Sequence, residues 1–235
     1  MKLKYIALGH RCHISTTLKL NDLRDEAMPF DSIIYSFEGV IDCFQNNFIN
    51  FFPKQIKCEY MTDNSNTNRQ LFRGKYGSFT HHNLNDNNVI ETFKKRINRL
   101  NEYLSVTNDE IIFVRTVMED NEIELLNNFI NTIQNIYPKL KFKLFLVYDN
   151  KNLDEVILKY NEYAYIVNSI MTTLDQNAAT NPISYYSLFN YLKNVKNFND
   201  IKIDSLYNQA NIIFKNDSYK GDAIRPGISP YDVNN

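Results

Sequence analysis

The succession of apolar and polar positions divides the chain into short apolar runs that read as strands and longer stretches at helical spacing. Residues 3–8 (Leu-Lys-Tyr-Ile-Ala-Leu) read as a first strand, apolar on both faces towards its end. Ile14 and Leu18, four apart, predict a short helix from about Cys12 to Leu20. Pro29 holds Met28-Pro29-Phe30-Asp31 extended, and Ile33-Ile34-Tyr35 reads as a brief strand. Ser36 is placed to cap a helix from Phe37 to about Phe51, with Phe37, Val40, Ile41, Phe44 and Phe48 on one stripe and Pro53 behind it. Cys43 lies beside that stripe as a small buried thiol. Lys54 to Asn68 is polar and irregular, Tyr76 to His82 a short strand ending at two histidines, and Asn83 to Asn88 a loop.

From Val89 to Leu104 the pattern is that of an amphipathic helix, with Phe93, Ile97 and Leu100 on one face. Its other side carries Lys94, Lys95, Arg96 and Arg99, read as a solvated basic face. Then follow a strand (Glu110 to Arg115), a helix (Asp120 to Tyr137, closed by Pro138) and a strand (Lys141 to Tyr148) ending at Asp149. A short helix over 152–161, a strand from Tyr163 to Asn168 and a helix from Pro182 to about Asn194 complete the series. Strand–helix–strand repetition at these spacings predicts parallel βαβ units with right-handed crossovers. The expected fold is α/β: a mostly parallel sheet flanked by helices, one domain over 1–216 with an insertion near 54–88, and an irregular tail over 217–235.

Composition changes this picture little. At 235 residues, 43% hydrophobic and 23% charged, the chain can bury a sizeable core. A net charge of -1 gives no reason to expect a nucleic-acid or membrane partner. No apolar run approaches the ~20 residues that span a bilayer, and Met1-Lys2-Leu3-Lys4 opens without a signal-peptide pattern. Three cysteines (Cys12, Cys43, Cys58) cannot all pair, which points to a reducing, cytoplasmic setting. The heavy use of Asn, Lys, Ile, Tyr and Phe tracks AT-rich codons, as in a large DNA virus or a parasite; for a viral chain the setting would be the host cytoplasm.

In open parallel sheets ligands bind at the carboxyl ends of the strands. The first strand delivers Gly9, His10, Arg11, Cys12 and His13 there; later strands deliver Arg115, Asp149 and Asn168. A thiol at a helix N-terminus is acidified by unpaired N–H groups and the helix dipole, and Arg11 or a protonated histidine adds to this. His81 and His82 end a strand and are the candidate bases, only one of which can aim at a given site. Against this stands a plain packed cysteine at a tight turn. No metal site is expected, because His10, Cys12 and His13 lack the usual ligand spacings. Gly9 stands without further glycines, so no phosphate loop, dinucleotide fingerprint or other cofactor motif is present. Arg115 could pair a nucleotide-sugar pyrophosphate or hold a structural carboxylate.

Ala7-Leu8-Gly9-His10-Arg11-Cys12, then Leu23-Arg24 and Met28-Pro29-Phe30-Asp31, resemble the opening signature of a family of bacteria and large DNA viruses labelled "putative papain-like cysteine peptidase". Phe79-Thr80-His81-His82, Arg96-Ile97-Asn98-Arg99 and Phe113-Val114-Arg115 extend the resemblance over residues 5 to about 148. It implies Cys12 as nucleophile and His81 or His82 as base. Asp31 is either the third member of a triad or the cap of a turn. Gly9, Arg11, His13, Phe30, Arg115 and Asp149 stand as candidate substrate-binding residues around a peptide or glycan-type substrate. Ser32 occupies the position where that family usually carries Trp. A papain-type enzyme sets its nucleophile on a long helix and its histidine in an antiparallel sheet, whereas the periodicity here predicts parallel units.

Overall fold

The computed structural model describes residues 2–10, 12–53, 57–62, 68–79, 81–170, 186–210, 212 and 214; for 12, 57–62, 68–71, 73 and 186 this covers the backbone only. β1 (Leu3–Ala7) pairs in parallel with β6 (Glu110–Thr116), Leu3 opposite Glu110 and Ala7 opposite Val114. Next come β7 (Lys141–Tyr148) and β9 (Ala164–Asn168), each parallel to its neighbour. β8 (Val156–Lys159) runs antiparallel to β9, and β10 (Ser205–Leu206) closes the sheet in the order β1-β6-β7-β9-β8-β10.

The central strands are near-continuous apolar runs because helices cover both faces. Ile6, Leu8, Ile111, Phe113, Leu144, Leu146 and Ile166 face one core cluster. That cluster is shared with α2 (Phe37–Gln45), α3 (Asn87–Val106) and α4 (Leu126–Ile136). Tyr5, Ala7, Ile112, Val114, Phe145 and Val167 face the other, against α1 (Cys12–Leu20) and α5 (Tyr186–Leu192). The mostly parallel α/β sheet in a single domain is thus the fold that the apolar runs predict.

Five local expectations are corrected. Met28–Asp31 is not extended but a turn, in which the Asp31 N–H donates to the Met28 carbonyl at 3.2 Å. The polar stretch after Lys54 contains β3 (Lys57–Thr62), hairpinned to β4 (Asn68–Arg73) with Lys57 opposite Arg73. Main-chain pairing to a neighbour outweighs a weak strand propensity. With β2 (Ile34–Tyr35) and β5 (Gly77–Phe79) these form a second, antiparallel sheet in the order β2-β5-β4-β3, so the inserted unit begins at β2. The segment expected as a helix over 152–161 is β8, captured by the ladder with β9. The Ser36-capped helix stops at Gln45, because Asn47 and Phe48 take left-handed φ values of 49° and 61°. The helix expected from Asp120 begins as a 3₁₀ turn over Asp120–Leu125 before α4. The Ser36 cap itself forms, its Oγ accepting from the Gly39 N–H at 2.9 Å. Pro182 and the tail from 217 lie outside the described residues.

Candidate functional site

β1 ends in a turn that reverses the chain over the sheet rim into α1. Leu8 still donates to the Val114 carbonyl at 2.9 Å, after which Gly9 and His10 adopt φ values of 75° and 77°. Glycine takes such a φ at little cost; a buried histidine takes it at a cost of roughly 1 kcal/mol or more. At Gly9 a side chain would also be crowded, since a Cβ there would lie 3.3 Å from the Tyr35 Cβ, a contact that asks the neighbour to give way by a few tenths of an ångström. The missing side chain therefore lets the turn rest directly on Phe30 and Tyr35. The Cys12 backbone is the first of α1, at the carboxyl edge of β1; its thiol and all of Arg11 lie outside the described residues.

Beside this turn sits a cluster of charge. Asp31 is buried, and its Oδ2 accepts from Arg24 Nη1 at 2.5 Å and the Met28 N–H at 2.8 Å. Its Oδ1 has no hydrogen-bond partner among the described residues. Burial pushes the carboxyl up, against the pull of Arg24, the Met28 N–H and Arg96. Asp31 thus accepts across the Met28–Asp31 turn and anchors Arg24 through one carboxylate oxygen, Oδ2.

His82 follows β5, whose carboxyl end runs alongside the start of β2 and so towards Asp31. Its ring stands edge-on to Phe93 with centroids 4.9 Å apart. Its Nε2 is buried and without a hydrogen-bond partner among the described residues. Burial, then the charge of Arg96 and the neighbouring His81, lower its pKa to about 4, so the imidazole is neutral at physiological pH. Arg96 lies 5.1 Å from the Phe93 ring centroid and influences both His82 and Asp31. Arg96, expected on a solvated basic face, is half-buried at a cavity of about 160 Å³ lined with His82, Asn88, Val89, Thr92 and Phe93. Its place three residues after the inward-facing Phe93 was the only hint in the sequence.

Several expected substrate-binding residues are built into the scaffold instead. Arg115 is fully buried. Its Nε and Nη2 pair with Glu122 at 2.8 and 2.6 Å, while Nη1 donates to the carbonyls of Leu8 (2.9 Å) and Tyr35 (2.8 Å). It holds a structural carboxylate and ties the end of β1 to β2, leaving no fork for a pyrophosphate. Phe30 lies inside the aromatic core, with Phe48 5.6 Å and Tyr35 5.8 Å away. Asp149 is buried behind β7. His13 is half-buried on α1 and His81 exposed, each with neighbours of its own. Cys43 donates to the Tyr35 hydroxyl at 3.6 Å, and burial pushes its thiol up to about 12, which makes it inert. Among the described residues no group of His, Cys, Asp and Glu is arranged to hold a metal ion, and no helix is long and apolar enough to cross a membrane.

A family model described as "Putative papain-like cysteine peptidase (DUF1796)" matches residues 3–152, which span β1 through β7 and hold the Gly9 turn, Asp31, both candidate histidines and Arg96. No curated protein and no solved structure matches the chain.

Proposed function

The chain belongs to this papain-like cysteine peptidase family, and from that premise we propose that it is a cysteine-dependent hydrolase of amide or ester bonds. Cys12 is the nucleophile, and His82 or His81 takes up its proton. The observation that carries this reading is the position of Cys12, at the first turn of α1 two residues after the second of two consecutive left-handed residues at a strand end. Helix N–H groups at that position stabilise a thiolate and, later, the oxyanion of a tetrahedral intermediate. A neutral His82 is in the correct state to accept a proton. A thiolate within reach would stabilise its imidazolium and raise its low pKa, as in other nucleophile–base pairs.

The sheet differs from that of papain-type enzymes, so the reading concerns the chemistry and not the scaffold. Site-resolved alkylation tests it. With iodoacetamide at about pH 6, where ordinary thiols are protonated, Cys12 should be labelled well ahead of Cys43 and Cys58. Equal, slow labelling of all three would remove the nucleophile and the reading with it.

A further inference from the structure

One buried ring fixes two groups that bear on the same proton. Phe93 belongs to the inward stripe of α3 and is buried. The His82 ring stands edge-on to it with centroids 4.9 Å apart, and the Arg96 guanidinium carbon lies over it, 5.1 Å from the same centroid. Imidazole and guanidinium are therefore held within about 10 Å of each other, and both line the groove beside the first turns of α3. The cation–π contact keeps Arg96 there although part of it meets solvent.

Arginine stays charged at every pH at which a histidine titrates. Its charge is supported here by Asp31 and opposed by Arg24 and Arg99. On His82 itself, among the described residues, burial acts first, then Arg96 from α3, then its own neighbour His81; all three disfavour the imidazolium, and no carboxylate acts in its favour. Two unit charges about 10 Å apart change one another's proton affinity by about twofold in water and by about tenfold at the lower effective dielectric of a protein surface.

We propose that Arg96 is a positioning residue for His82: its guanidinium, fixed over Phe93, opposes the imidazolium and so eases the release of a proton that the ring has taken up. In acyl transfer the base must hand its proton on to the leaving group, and a nearby like charge makes the imidazolium a better donor for that step. This role rests on His82 as the base of the proposed hydrolase. Its electrostatic part does not, and would hold beside an inert Cys12.

The ring protons of His82 should be followed by NMR against pH in Cys12→Ser, where no thiolate contributes. Adding Arg96→Gln should raise the proton affinity of His82 by about threefold, half a pKa unit. Arg96→Lys, which keeps the charge, should raise it by less than half as much. Going from about 0.1 to 1 M NaCl, which shortens the screening length from ~10 to ~3 Å, should raise the His82 pKa in Cys12→Ser and move it much less once Arg96→Gln is added. Equal rises in the glutamine and lysine variants would assign the effect to lost packing and overturn the proposal. An unmoved pKa in the glutamine variant would also overturn it. If that variant folds poorly, a His82 pKa in Cys12→Ser that ignores salt overturns it instead. Failure of preferential Cys12 alkylation is a separate result: it removes the hydrolase and leaves these titrations unchanged.

Discussion

Arg115→Met is the most revealing perturbation of the scaffold, because one buried side chain joins both sheets and the candidate site. The substitution keeps an unbranched chain of similar length, yet leaves the Glu122 carboxylate buried without its bidentate partner. It also removes the donor shared by the Leu8 and Tyr35 carbonyls. Removing one member of a buried pair costs roughly 3–5 kcal/mol, and the carbonyl contacts add about 1 kcal/mol. A loss of about 4–6 kcal/mol is a large part of the 5–15 kcal/mol typical of a domain. At about 2–4 °C per kcal/mol for a chain of this size, Tm should fall by about 10–20 °C. Urea titration followed by circular dichroism measures the loss directly. The double variant Arg115→Met with Glu122→Leu should recover much of it, since the uncompensated charge is gone. A single variant within about 1 kcal/mol of wild type would refute the structural role given to this arginine.

Gly9→Ala should destabilise the protein by about 1–3 kcal/mol, because φ is 75° there and the added Cβ meets Tyr35 at 3.3 Å; an unchanged urea midpoint would contradict the geometry of the turn. The folded-state pKa of His82 is depressed from 6.5 to about 4, so its contribution is present above the unfolded value and is lost as pH falls between those two points. For a half-exposed ring, screening limits that contribution to about 1–2 kcal/mol; it should vanish in His82→Gln, and an NMR-measured pKa near 6.5 in Cys12→Ser, where no thiolate can raise it, would negate it. Ser36→Ala removes the Gly39 cap and should cost about 1 kcal/mol; no change would show that the cap contributes nothing to α2.

Where pattern and structure agree, burial sets the pattern. β1, β6, β7 and β9 are apolar on both faces because both faces are covered, and the stripe of α3 matches its buried residues Phe93, Ile97, Leu100 and Leu104. Where they part, the deciding interaction is remote in sequence. Val156–Lys159 is too short to show a period, and its strand state comes from pairing with β9. Arg96 shares the charged flank of α3 with Lys94 and Lys95, yet it lies half-buried over the Phe93 ring in a cavity that His82 also lines. Arg115 gave a clearer signal: a charge inside an apolar strand must find a buried partner, and Glu122 lies seven residues on. The turn after Gly9 lies at the carboxyl end of β1, as the apolar run ending at Leu8 predicts, because a parallel strand must cross over there. The strand-end rule could not separate the rim residues that face a ligand from those, like Arg115 and Asp149, that are buried behind it.

The claim that Cys12 is an activated nucleophile is tested most directly by its own titration. The pH dependence of alkylation at Cys12, resolved from Cys43 and Cys58 by peptide mapping, should be compared in wild type, His81→Gln and His82→Gln. The account predicts a Cys12 pKa well below the ordinary ~8.5, raised towards that value when the histidine that partners it is replaced. A Cys12 that titrates at or above ~8.5 in the wild type, unmoved by either replacement, would contradict it.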